Sequence, residues 1–270
     1  MTTFRDLHRP GDPFILANAW DAGSAKMLAA MGAQAIATSS AAHAFTLGRP
    51  DGLGVTRDEA LAHAESLVAA TPLPVQGDFE NGWGDDPDTV AETVRLAAEA
   101  GLAGICIEDI RLPGSDAYDA DLATQRIKAA ASAARALPRD FVLTARADGI
   151  MTGAYDLEEA IRRLQAFEAA GADCLYAPLP RTMDDVARIC ASVTAPVNVL
   201  VAGPLYTAQT RAAFGRLGAA RLSLGSALAR ATHRVIHDAA TAMFGDGDFS
   251  RLGRSISGDT VDALLTGPSD

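Results

Sequence analysis

Short apolar runs alternate along the chain with longer stretches in which apolar positions recur every three or four residues, from Phe14 to about residue 244. A period of two marks strands and a period near 3.6 marks helices. Strands are expected near residues 14–18, 34–38, 74–78, 103–108, 141–146, 173–177, 196–201 and 220–224. Helices are expected near 21–31, 57–71, 87–100, 121–137, 157–170, 183–193, 207–217 and 226–244. Strict alternation of this kind signals parallel β/α architecture.

Four of the predicted helices end alike, in Met31-Gly32-Ala33, Ala100-Gly101-Leu102, Ala170-Gly171-Ala172 and Leu217-Gly218-Ala219. Each glycine reads as a left-handed helix stop. The intervals from Gly32 to Gly101 and from Gly101 to Gly171 nearly match, and each holds two strand-helix units. Eight units close most simply as a (β/α)8 TIM barrel, an α/β fold. Thr56 to Glu59 and Asp156 to Glu159 have capping-box spacing, and Asp86-Pro87 is a cap followed by proline. Asp86 and Asp156 are therefore assigned to structure. No linker or low-complexity block divides the chain, so residues 1–270 are expected to form one barrel domain, with 245–270 a short helical extension around Val261 to Leu265.

Three successive strands finish in charge. Asp78 and Glu80 close the third, Glu108 the fourth and Arg146 the fifth. Alternation puts Gly104, Cys106 and Glu108 on one face of the fourth strand, and Val142, Thr144 and Arg146 on one face of the fifth. Reactive groups in such barrels lie at strand C-termini, so these side chains are expected to share the open mouth. Carboxylates without histidine or thiolate favour Mg2+ or Mn2+ over zinc. Asp109 and Asp148 read as supporting or capping residues.

The composition narrows the chemistry. The chain has 34 acidic and 23 basic residues, a net charge of -11, which disfavours nucleic acid and anionic lipid surfaces. Neither a secretion signal nor a membrane span is visible, so a cytoplasmic protein is expected. Cys106, Cys174 and Cys190 lack metal or redox spacing and read as small core residues. The only lysines, Lys26 and Lys128, fall in predicted helices, which excludes a Schiff base at a strand end. What remains is metal-assisted chemistry on a 2-oxo acid or related small dicarboxylate. The ion would chelate carboxylate and carbonyl, Arg146 would pair with carboxylate, and bond cleavage would leave an enolate stabilised in part by backbone N–H groups near Ser39 and Ser40.

The motifs Asn18-Ala19-Trp20-Asp21, Thr38-Ser39-Ser40, Leu47-Gly48-Arg49-Pro50-Asp51, Asp78-Phe79-Glu80-Asn81-Gly82-Trp83-Gly84, Ile107-Glu108-Asp109, Ala145-Arg146-Ala147-Asp148 and Ala170-Gly171-Ala172-Asp173 stand in one order. In them the chain resembles the isocitrate lyase and phosphoenolpyruvate mutase superfamily over nearly its whole length. The resemblance implies a Mg2+-dependent barrel acting on C–C or C–P bonds of pyruvate-like acids, as a homodimer or homotetramer that exchanges its last barrel helix. By motif match Asp78, Glu80 and Glu108 fall on the metal site. Ser39, with Trp20, Thr38 and Ser40, falls on the substrate pocket. Asp51 falls on a polar catalytic position, and Arg146 on the substrate-binding arginine.

Two departures matter. Where the lyases carry a Lys-Lys/Arg-Cys-Gly-His loop, this chain reads Ile110-Arg111-Leu112-Pro113-Gly114-Ser115-Asp116-Ala117-Tyr118, without the thiol. Glu80 stands where Asp is commoner. A decarboxylase of an oxaloacetate-like acid fits this loop best, and a C–C lyase with an unrecognised acid comes next. A phosphonate enzyme of the phosphonopyruvate hydrolase or phosphoenolpyruvate mutase type is the alternative, and a barrel that binds a small acid without turnover is another. Gly225-Ser226 offers a rival phosphate cradle, with a plain helix-starting turn as its simpler reading. His43 reads as a packed loop residue rather than a proton carrier, and His8, His63, His233 and His237 as surface or helix residues.

Overall fold

A computed structural model describes residues 3–52 and 54–266. Eight parallel strands close in chain order into a barrel: β1 (Phe14–Asn18), β2 (Ile36–Ala37), β3 (Val75–Asp78), β4 (Gly104–Glu108), β5 (Val142–Arg146), β6 (Cys174–Tyr176), β7 (Val197–Leu200) and β8 (Arg221–Ser223), with β8 pairing back to β1. The helices are α1 (Ala22–Ala30), α2 (Ser40–Thr46), α3 (Arg57–Ala70), α4 (Pro87–Glu99), α5 (Ala120–Arg135), α6 (Gly149–Thr152), α7 (Leu157–Ala169), α8 (Met183–Ser192), α9 (Gly203–Thr207), α10 (Arg211–Arg216), α11 (Ala227–Gly245) and α12 (Gly258–Thr266).

Local chemistry accounts for most boundaries. Asp86 caps α4 by accepting from the Asp88 N–H, Pro87 occupies the first turn, and Val90, Val94 and Ala97 form the buried stripe. Thr56 and Glu59 form the expected reciprocal box. Asp156 accepts from the Glu159 N–H, but the Glu159 carboxylate turns to Arg162 and Arg163 instead of closing its box. Gly32, Gly101, Gly171 and Gly218 all have positive φ, as helix stops require.

The main core lies between barrel and helices. Ile105 and Ile107 of β4 and Phe141, Leu143 and Ala145 from the β5 region face outward into it, meeting Leu164 and Phe167 of α7. Each such fully buried side chain contributes about 1.5–3 kcal/mol. Gly104 is required on the inner face, because a Cβ there would lie 2.2 Å from the Val142 carbonyl oxygen.

Two helical expectations are corrected. The helix expected over 207–217 is only the shorter α10, because Thr210 caps a start there by accepting from the Ala213 N–H, and α9 forms separately before it. The loop after β2 holds the additional helix α2, capped by Ser39. In the extension, a 3-10 turn at Ser250–Arg254 precedes α12, which packs on α1. Among the described residues no helix is long and apolar enough to cross a membrane.

Candidate active site

The strand ends surround one cavity of about 410 Å³. The parallel register sets Glu108 beside Arg146 and Asp78 beside Cys106, so three neighbouring strands deliver their last inward side chains to one spot. Glu80 reaches the cavity differently from expectation. The strand ends at Asp78, and Glu80 sits in a turn with φ +45°, a left-handed conformation uncommon for a side chain of this kind. Phe79 is meanwhile buried with its ring edge-to-face on Trp83, and the Glu80 carbonyl accepts from the Glu108 N–H.

Arg146 organises the cluster. Its Nη1 lies 2.8 Å from both Asp78 Oδ1 and Glu108 Oε1. Nε and Nη2 grip Asp148 at 2.9 and 2.6 Å in a two-point pair. The guanidinium also lies over the Tyr176 ring, 4.8 Å from its centroid. Of the two roles expected for Asp148, supporting or capping, the structure shows the supporting one: its side chain makes no cap hydrogen bond at α6 and pairs with the buried guanidinium instead. Asp109 supports this arrangement, accepting from the Asp148 N–H through Oδ1 and from Tyr155 and Arg163 through Oδ2.

The charge is unbalanced. Asp51, Asp78, Glu80, Glu108 and Asp148 line the cavity with Arg146, Arg221 and Arg230. Arg221 is buried deep in the barrel against Asn198, Gln76 and His8, so it offsets little of the acid at the rim. Burial, reinforced by Asp78 and Asp51, pushes the Glu80 carboxyl up to about 7. Burial also drives Glu108 well above its ordinary range, despite the pull of Arg146. Asp51 is raised by burial and by Asp78. Burial alone would lower Arg146, but Asp148, Glu108 and Asp78 outweigh it and hold the guanidinium charged.

Thr38, Ser39, Ser40 and Asp51 line the same cavity. Their hydrogen bonds are largely committed to building it. Thr38 Oγ1 accepts from the Asp78 N–H, while Ser40 donates from both N and Oγ to Asp78 Oδ2. The Ser40 N–H therefore already has an acceptor, contrary to the expectation that it is open to an enolate. Trp20 is not among the cavity-lining residues; a capping box between Asp21 and Ser24 starts α1 there, and the Trp20 carbonyl meets His63 Nε2. Of the Gly225-Ser226 cradle, the Gly225 N–H is already taken, because Asn18 Oδ1 accepts from both the Leu224 and Gly225 N–H groups.

Asp78, Glu80 and Glu108 face one cavity, but not as a ready set of ligands. Among the described residues no three His, Cys, Asp or Glu side chains are placed to hold an ion. The physical reason is Arg146, whose Nη1 draws Asp78 and Glu108 toward itself. The donor chemistry nonetheless suits a hard divalent cation, since the donors are carboxylate oxygens, and at Glu80 and Glu108 burial, with neighbouring carboxylates adding to it, opposes the charged form.

The sequence signature described as phosphoenolpyruvate phosphomutase matches residues 4–244. This chain belongs to that family. Its relatives include 2-methylisocitrate lyase of Salmonella typhimurium, 32% identical, with 85% of this chain and 84% of the relative covered. Oxaloacetate decarboxylase of Paraburkholderia xenovorans is 31% identical over 74% of this chain and 70% of its own. A solved structure from Burkholderia cenocepacia J2315, with a provisional lyase/mutase assignment, is 46% identical with a TM-score of 0.92, covering 98% of this chain and 95% of that one.

Other residues of this family member shape the site without having been legible as such. Arg126 of α5, a charged residue within a predicted helix, is buried and donates to the carbonyls of Asn81, Gly84 and Glu108, bracing the backbone around Glu80. Tyr118 stacks on it at 4.0 Å. His8, expected at the surface, is buried beside Arg221, and burial together with that positive charge lowers it to about 3. Cys106 is buried as expected and donates from Sγ to Asp78.

Proposed function

We infer that the protein is a Mg2+-dependent lyase or decarboxylase of a 2-oxo acid or related small dicarboxylate. The observation that carries this reading is the meeting of Asp78, Glu80 and Glu108 with Arg146 at the open end of the barrel. Asp78, Glu80 and Glu108 would hold the ion, directly or through its waters. When bound, Mg2+ would chelate the substrate carboxylate and neighbouring carbonyl and stabilise negative charge developing on that carbonyl.

The chain's own groups supply orientation. Arg146 exchanges its contacts with Asp78 and Glu108 for the substrate carboxylate, while Asp148 keeps the guanidinium in plane. Ser39 and Ser40 close one side of the pocket, Ser40 by holding Asp78 at 2.9 Å. Asp51, which lines the cavity and is raised by burial and by Asp78, would exchange a proton with substrate. The loop 110–117, which contributes Ile110, Leu112 and Gly114 to the cavity, has no thiol or imidazole. Decarboxylation fits this loop, because carbon dioxide leaves without needing a proton. Exposed Val235, Ile236 and Phe244 on α11 support assembly with a second copy.

The test is product analysis with oxaloacetate, alkylated malates and phosphonopyruvate, each with Mg2+ and with EDTA. Metal-dependent pyruvate release from oxaloacetate is expected. Turnover of phosphonopyruvate alone would move the assignment to the phosphonate branch, and full activity of Asp78→Ala in EDTA would end the metal reading.

A further inference from the structure

Behind the main cavity lies a second one of about 10 Å³, lined by Thr38, Ser39, Ser40, His43, Val55, Ala60, His63, Asp78, Glu80 and Trp83. Glu80 and Ser39 border both cavities and so form part of the partition between them. The volume is near the lower bound for one water. His43, 8% exposed, contributes to its wall, and neither of its ring nitrogens has a hydrogen-bond partner among protein atoms. The ring stacks on His63 with centroids 3.8 Å apart and planes 13° from parallel, a contact that favours its present orientation. His63 is itself tied to the Trp20 carbonyl at 2.9 Å.

A buried imidazole with two unpartnered nitrogens is costly, and leucine would fill the same space without that cost. The facing groups have hydrogen-bonding capacity left over. Ser39 Oγ accepts from the Ala42 N–H and keeps its own proton to donate. The Glu80 carboxylate makes no hydrogen bond or ion pair to any described residue, although its backbone is held in a left-handed turn. The site therefore offers a donor at Ser39, an acceptor at Glu80 and either role at His43, within the two to four partners that an internal water needs.

We propose that His43 is a positioning residue, binding one internal water shared with Ser39 and Glu80 and thereby fixing the Glu80 carboxylate where it faces the main cavity. His63 acts as the plate that keeps the His43 ring in place. The water site stands independently of the proposed function; only its effect on metal binding rests on that reading. Burial, and secondarily His63, lowers His43 to about 4, so its ring is neutral near pH 7 and can accept from water.

The experiment compares wild type, His43→Leu and His43→Gln. A crystal structure at atomic resolution is expected to show one water within about 3 Å of a His43 nitrogen and of Glu80. Mg2+ affinity, by calorimetry and by Trp83 fluorescence, is expected to fall about tenfold in His43→Leu, as for other groups that orient a metal ligand. His43→Gln is expected to recover most of it, and the melting temperature of metal-free His43→Leu to equal or exceed wild type. A wild-type crystal without the water overturns the proposal, as does His43→Leu with unchanged Mg2+ affinity. If wild type takes up no Mg2+, the metal reading fails, and the crystal alone decides the water site.

Discussion

Replacing Glu80 with glutamine should stabilise the metal-free protein while removing its function. In the folded chain the Glu80 carboxyl is pushed from 4.5 up to about 7, first by burial and then by Asp78 and Asp51. The folded state then binds more protons than the unfolded one between these values, so stability is greatest below the unfolded pKa and is lost as pH rises through about 7. A shift of that size corresponds to ~3 kcal/mol at most. Because Glu80 borders the open cavity, solvent screening reduces the expected effect to about 1–2 kcal/mol. Glutamine mimics the protonated acid and cannot ionise. In EDTA, urea midpoints for Glu80→Gln and wild type should coincide near pH 4.5 and separate progressively, with the variant more stable above pH 7. Saturating Mg2+ should reverse the order, since a ligand at ~100 times its Kd adds about 2.7 kcal/mol to the protein that binds it. A stability difference that is flat with pH, or a variant less stable than wild type at pH 8 in EDTA, would refute the reasoning.

Asp148→Asn removes the charge that aligns Arg146 and should lower kcat/KM by about 10²-fold, with circular dichroism unchanged; activity within a factor of two would rule out the alignment role. Gly104→Ala would press a methyl group onto the Val142 carbonyl, which is backbone and cannot rotate away, so a loss of about 3 kcal/mol is expected in urea denaturation. Arg126→Leu leaves the carbonyls of Asn81, Gly84 and Glu108 without their donor and should cost about 3 kcal/mol. Its effect on dynamics should appear as faster amide hydrogen exchange in residues 79–84, and unchanged exchange there would contradict the bracing role.

The sequence by itself determined the barrel and most of the site membership. Strand and helix periods, the caps at Thr56 and Asp86 and the glycine stops are local signals, set by each residue and its near neighbours, so they could be read in order along the chain. Alternation along β4 and β5 likewise determined that Glu108 and Arg146 face inward, because the period of a strand is fixed by its pleat. What the tertiary structure decided is how the charges pair. Arg126 beneath the Glu80 loop and the stacking of His43 on His63 join residues from different elements, and Asp148, only two residues from Arg146, is turned to it by the burial of that guanidinium. A carboxylate two residues past a strand looks the same in sequence whether it caps a helix or grips a guanidinium. Only the closure of the barrel, which buries Arg146 and leaves few alternative partners, makes that choice.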